Sequence, residues 1–106
     1  MVNEVTSSVK YVIGERQVVA KMKNGDVRLV KLQIGLPEPL EHRWQSEIAL
    51  EGLYPNVVKV PGVDSFQCLN LAFGVVRTAL EKFIAAGGQL YWRDGSGPLT
   101  LVDIFS

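Results

Sequence analysis

One cysteine, Cys68, and one histidine, His42, are all that this 106-residue chain holds of the two residue types most used to bind zinc. No internal disulfide is possible, and no Cys/His cluster exists from which to build a metal site. A lone thiol favours a reducing compartment. Net charge is missing too: eleven Lys and Arg stand against eleven Asp and Glu, which argues against the basic footprint of a general nucleic-acid binder. No run reaches the roughly 18 uninterrupted apolar residues of a membrane span, because Asn70, Arg77 and Glu81 break the longest one. Met1 to Val5 has neither the basic start nor the apolar core of a secretion signal. These absences predict a soluble cytoplasmic protein with no nucleic-acid or membrane partner. Repeats, low-complexity tracts and long Pro/Gly/Ser linkers are absent as well. Residues 1–106 are therefore expected to form one domain, with 1–8 polar and small enough to fray.

What is present is organised around Gly62 to Gly88, which reads as one capped helix of about 22 residues. Asp64 is placed to accept from the first free backbone N–H groups, and Gln67, three residues on, to reach back to the N–H of Asp64 itself. Val63 and Cys68 are spaced to touch as a hydrophobic staple. Gly87 and Gly88 mark the far end. Turning the run by about 100° per residue gathers Leu69, Ala72, Phe73, Val76, Ala79, Leu80 and Phe83 on one arc. Phe66 and Ile84 fall at one margin, Val75 and Cys68 at the other, and Leu71 beyond Val75. This arc spans about half the circumference, wider than the roughly 100° a surface helix needs. The helix is either sunk deeply into a sheet or touched by something else.

Before the helix the pattern is that of strands. Val9, Tyr11 and Ile13 alternate with Lys10 and Val12, Gly14 allows a bulge, and Gln17 to Lys23 continues the extended run. Asn24-Gly25 is a strong signal for a two-residue hairpin turn. That turn would set Met22 against Val27, Ala20 against Leu29, Val19 against Val30, and Lys21 against Arg28, a like-charge pair. Two prolines, Pro37 and Pro39, end the return strand Val27 to Ile34. The next strand points His42, Trp44, Ser46, Ile48 and Leu50 one way and Glu41, Arg43, Gln45, Glu47 and Glu51 the other, as in a sheet covered on one face. Val57 to Val60 forms a short strand that Pro61-Gly62 should stop. After the helix, Gln89 to Arg93 returns as a strand, Asp94 to Pro98 is a loop, and Leu99 to Phe105 docks as an edge strand or one helical turn. The fold class is α+β: a mostly antiparallel sheet packed on one long helix in the C-terminal half, followed by a returning strand.

These residues carry a resemblance. Glu15-Arg16, Gly25, Ile34-Gly35 with Pro37, Trp44 with Ile48 and Gly52, and above all Gly62-Val63-Asp64-Ser65 with Gln67, Leu69, Leu71 and Ala72 look like a small bacterial family known only as a domain of unknown function. Ser46 stands where cysteine is common in that pattern, and Cys68 where alanine is. The resemblance implies the fold outline and a bacterial origin, and brings no activity.

Chemistry-bearing residues each have a plainer reading. His42, beside Trp44 on the strand's apolar face, lacks a nucleophile or carboxylate to serve. Cys68 in the first helical turn packs more readily than it reacts. Asp64 fills its own helix N-terminus and repels anions. Asp94-Gly95-Ser96-Gly97 has only a fragment of a phosphate or calcium loop. Trp44 and Trp92 on apolar strand faces are expected in the core. No nucleophile–base pair, spaced carboxylate pair or complete nucleotide loop emerges. No catalytic, cofactor or metal residue is assigned, and no enzyme is expected. The leading expectation is a protein-interaction domain, homodimeric or bound to a partner in an immunity- or antitoxin-like role, with His42, Trp44, Leu71 and Val75 as contacts. The alternative is a small-ligand domain with a pocket between helix and sheet near Trp44 and His42.

Overall fold

The computed structural model describes residues 9–105, so the expected fraying of 1–8 lies outside the described residues. Five positions across a wholly antiparallel sheet are filled by β1 (Val12–Lys21), β2 (Val27–Gly35), β4 (Trp44–Glu51), β5 (Val58–Gly62) and β6 (Gln89–Trp92), with the two-residue β3 (Glu38–Pro39) as a sixth strand. Helix α1 runs from Ser65 to Ala85, and a short α2 covers Leu101–Phe105. The α+β architecture expected from the pattern is the one found.

Strand order follows from shared partners. Ile48 pairs with Ile34 of β2 on one side and Val58 of β5 on the other, while Trp44 pairs with Pro39 and Gly62. β2 and β3 thus lie along the same edge of β4, β3 continuing β2 past the Leu36-Pro37 interruption. The order is β5, β4, β2 with β3, β1, β6. β6 reaches its place beside β1 by antiparallel pairing of Ala20 with Leu90, after α1 has crossed one face of the sheet.

The hairpin is where expected, but its register is not. Val18 pairs with Val30, Val19 with Leu29, Ala20 with Arg28 and Lys21 with Val27, one residue away from the expected pairing. Of Asn24 and Gly25, only Gly25 takes positive φ, at 98°. A two-residue type I′ turn needs it at both. The chain instead makes a three-residue loop: Gly25 N–H donates to Met22 O at 2.9 Å and Met22 N–H to Asp26 O at 2.7 Å. The expected clash of Lys21 with Arg28 is thereby avoided, and Val18, Ala20, Val30, Leu32 and Ile34 all turn to the core. The Gly14 bulge forms, with Ile13 as the extra residue between paired Val12 and Gly14. Pro61 and Gly62 do not stop β5 but belong to it, opposite Gln45 and Trp44; an edge strand tolerates a missing N–H.

Both ends of α1 are closed by local hydrogen bonds. Gln67 N–H donates to Asp64 Oδ1 at 2.8 Å. The Gln67 side chain passes over the cap residue and accepts from Val63 N–H at 2.8 Å, a corrected form of the expected box. The staple does not form, because Val63 is exposed while Cys68 is fully buried. At the other end Gly88 N–H donates to Phe83 O and Gly87 N–H to Ile84 O, both at 3.0 Å, with Gly87 at φ 102°. That is a Schellman motif.

Only a narrow ridge of α1 is buried: Cys68, Ala72, Val76 and Leu80, at spacing four. Leu69, Ala79 and Phe83 flank it. The ridge packs on Ile48, Leu50, Val30, Val18 and Val60 of the sheet. Phe73, expected on the buried arc, is 49 % exposed, and Phe66 is more so. Because the helix lies on the sheet rather than sinking into it, both shoulders of the wide apolar arc stay open.

The tail is helical. Thr100 and Asp103 form a reciprocal box: Thr100 N–H donates to Asp103 Oδ2 at 2.9 Å, and Asp103 N–H to Thr100 Oγ1 at 3.2 Å. The resulting α2 sets Phe105 under the Arg77 guanidinium, 5.5 Å from its ring centre. Before it, Leu99 N–H donates to Leu90 O at 2.9 Å, so Pro98 and Leu99 cover the outer edge of β6. Trp92 sits at the core margin with Arg16 over its ring at 5.7 Å, and Trp44 is half-buried. Neither tryptophan is the core anchor expected of it.

Candidate functional site

Along the β5 side of α1 the fold leaves an open groove of about 780 Å³. Leu71, Val75 and Ala79 form its helical wall, with Asn70, Gly74, Thr78 and Lys82 along the crest. Val60 and Pro61 of β5 and Tyr54 of the preceding turn form the other wall. Two causes produce it. Ridge packing at spacing four brings Cys68 down onto β5, where its Sγ lies 3.8 Å from Val60 O, and leaves Leu71 and Val75 up the side of the helix. Then β5 ends the sheet, so among the described residues no further strand covers them. Leu71 is 43 % and Val75 37 % exposed, and Tyr54 is exposed in the same groove.

The edge of β5 itself is guarded. Pro61 has no N–H to offer a further strand and Lys59 stands two residues before it, two devices that block edge-to-edge pairing. A visitor to this side of the domain would meet side chains in the groove rather than a free ladder.

Of the four expected contact residues, the structure brings Leu71 and Val75 together and leaves the other two elsewhere. His42 lies outside β4, in the loop before it, with its side chain 87 % exposed and Nε2 3.7 Å from Glu41 Oε2. β4 begins only at Trp44, so His42 is not on an apolar face. Trp44 is the first residue of β4, paired with Pro39 and Gly62. Neither lines the groove. Tyr54 and Pro61 were not singled out from sequence; the adjacency of β5 to α1 that recruits them is a long-range fact.

Cys68 has a structural environment. It is buried between α1 and β5, and the backbone of Gly62 approaches so closely that a Cβ there would stand 2.9 Å from the sulfur. Burial, and then the Asp64 carboxylate, push its thiol pKa above the ordinary value, the opposite of an activated nucleophile. Ser46, also fully buried, donates to Gly35 O at 3.5 Å. Asp94 accepts from Ser96 N–H at 2.9 Å, which makes its loop a simple turn. Among the described residues there is no group of three His, Cys, Asp or Glu able to hold a metal ion, and no helix is long and apolar enough to cross a membrane.

A second, tighter cavity of about 180 Å³ lies where α2 meets α1 and β1, lined by Arg16, Leu32, Ile34, Phe73, Val76, Ile104 and Phe105. It is an imperfect joint between the tail and the core.

Comparison with known proteins adds a family and no activity. A family model described as Domain of unknown function (DUF6968) matches residues 14–101, from the β1 bulge to the start of α2. No curated protein and no solved structure matches the chain.

Proposed function

Since the chain belongs to the family described as Domain of unknown function (DUF6968), which supplies no chemistry to inherit, we propose from its surface that it is a non-catalytic protein-interaction domain. The observation that carries this reading is the groove: exposed Leu71, Val75 and Tyr54 lie together beside a strand edge that Pro61 closes to backbone pairing. Scattered exposed apolar residues are ordinary, but a contiguous patch with a polar crest is the usual form of a docking surface. An immunity- or antitoxin-like role in the bacterial cytoplasm is the biological form this reading takes, a small domain that covers part of another protein or of its own copy.

A small-ligand domain is the second reading, favoured by a groove volume of about 780 Å³, within the range of known ligand sites. Against it stands the openness of the groove on the solvent side of the helix, where a small molecule would bury little of its surface.

The two separate experimentally. Light scattering of protein recovered gently from its native host should give a mass above one chain, through self-association or a stoichiometric companion. Leu71→Asp and Val75→Asp should each abolish that association without lowering the melting temperature, since both sites are half open. A strictly single-chain species with no companion, combined with a melting temperature raised by a metabolite, would replace the interaction reading with the ligand one.

A further inference from the structure

Gly74 sits at the middle of α1, and no neighbour among the described residues requires it. A mid-helix glycine weakens a helix relative to alanine. Gly62, Gly88 and Gly35 are crowded by Cys68, Phe83, and Val9 with Glu47, Gly25, Gly52, Gly87, Gly95 and Gly97 take positive φ, and Gly14 sits at the β1 bulge. Around Gly74 no atom lies within 4 Å of where a Cβ would stand. What a bare helical crest does allow is close approach by another helix, because the distance between helix axes is set by the side chains at the contact.

The residues around Gly74 specify which helix. Leu71, Val75 and Lys82 fall on one stripe of α1 when it is turned at about 100° per residue, and Asp64, the N-cap one position before the helix begins, extends that stripe. Asp64 stands seven residues before Leu71, and Lys82 seven after Val75. Read in the opposite direction, the stripe is its own complement: acid, apolar, apolar, base against base, apolar, apolar, acid. A two-fold axis level with residue 73, one position before Gly74, would set Leu71 against the partner's Val75 and Lys82 against the partner's Asp64, with helix dipoles opposed. Both charges are available for this. Lys82 has no ion pair among the described residues, and Asp64 uses Oδ1 for its cap, leaving Oδ2.

We infer that the occupant of the groove is a second copy of this chain, and that α1 pairs antiparallel with its counterpart across Gly74. This rests on the interaction reading above and goes further by naming the partner and the register. Closure of the β5 edge by Pro61 agrees with it, since the copies then meet through helices and not by extending the sheet.

Sedimentation equilibrium of the purified full chain across the micromolar range tests the inference. The expected result is a reversible dimer of twice 11.7 kDa, weakened by salt. Lys82→Glu, an exposed substitution that leaves the fold intact, should raise the dimer Kd about tenfold or more. Gly74→Leu, into open space, should do likewise, with circular dichroism confirming the retained helix. Lys82→Glu mixed with Asp64→Lys should recover association, since opposite charges then meet at both ends of the mixed pair, whereas each variant alone sets like charges together at both. A wild-type monomer at all concentrations overturns the inference. So does a dimer indifferent to both Gly74→Leu and Lys82→Glu. If the wild type is monomeric yet binds a different protein in a manner abolished by Leu71→Asp, the second copy is excluded while the interaction reading stands.

Discussion

The ring of Phe83 occupies the space that a side chain at Gly88 would need: a Cβ built there would lie 2.3 Å from Phe83 Cζ. The two residues are also joined through the backbone, Gly88 N–H donating to Phe83 O. One glycine therefore completes the helix stop and seats a core-facing ring. Gly88→Ala should destabilise the domain by about 1–3 kcal/mol through overpacking. Adding Phe83→Ala should remove the clash, so that the double variant loses less than the sum of the two. Urea denaturation of the four species measures this coupling; strict additivity would show that ring and glycine do not meet.

Asp64→Ala should cost about 1 kcal/mol, the typical worth of a side-chain N-cap. The Gln67 bond to Val63 N–H survives that change, and Gln67→Ala should cost less because it frees a single exposed donor. Chemical denaturation that found both neutral would displace the start of α1.

Phe73→Ala should be mild for so large a deletion. At 49 % exposure the ring buries only part of its surface, whereas Leu80→Ala or Ile48→Ala, both fully buried, should cost about 2–5 kcal/mol. Equal losses at the three positions would mean that the helix is rotated from the orientation described.

Acid should loosen the tail before the core. The Asp103 carboxylate accepts from Thr100 N–H and Oγ1, and these bonds, helped by Arg16, hold its pKa below the ordinary 3.8. A carboxylate with a lowered folded-state pKa stabilises the fold above its ordinary value, and that contribution fades as pH falls through the lowered one. Amide signals of α2 should therefore broaden on the acid limb below 3.8 while those of β1 and β2 persist, and Asp103→Ala should show the loosened tail already at neutral pH. Identical tail spectra in the two proteins would remove the cap from the account.

Cys68 should resist a maleimide in the native protein and react fully in denaturant, since it is buried and its thiol pKa is raised. Rapid native labelling, followed by mass spectrometry, would place the sulfur at the surface.

What could be read in the sequence was what neighbours along the chain decide. Asp64 and Gly87 announce the ends of α1 because caps are local, and the alternation through Trp44 to Leu50 announces which face of β4 is covered. Asn24-Gly25 located the hairpin, yet its register turned on whether Asn24 would accept positive φ, which the dipeptide alone leaves open. Phe73 and Leu80 are equally apolar in sequence; only contact with the sheet separates one from the other. Thr100-Leu101-Val102-Asp103 was a legible capping box for α2 and was missed, since so short a helix lacks the periodicity that draws attention to a cap. Leu71 and Val75 were legible as surplus on the apolar arc, but their groove requires β5 beside α1, and strand order is written nowhere locally.

The place of β1 carries a kinetic consequence. On one side it pairs with β2, its immediate successor in the chain, and on the other with β6, near the far end. The first pairing closes a short loop, whereas the second must bring together segments separated by nearly the whole domain, with a correspondingly larger entropic cost. The meander of β1, β2 and β4 is thus suited to form early, with β6 joining only once α1 has laid itself across the sheet. Until then the flank of β1 from Val18 to Lys21 stands unpaired, which makes it the stretch most open to wrong pairing while the chain is still folding.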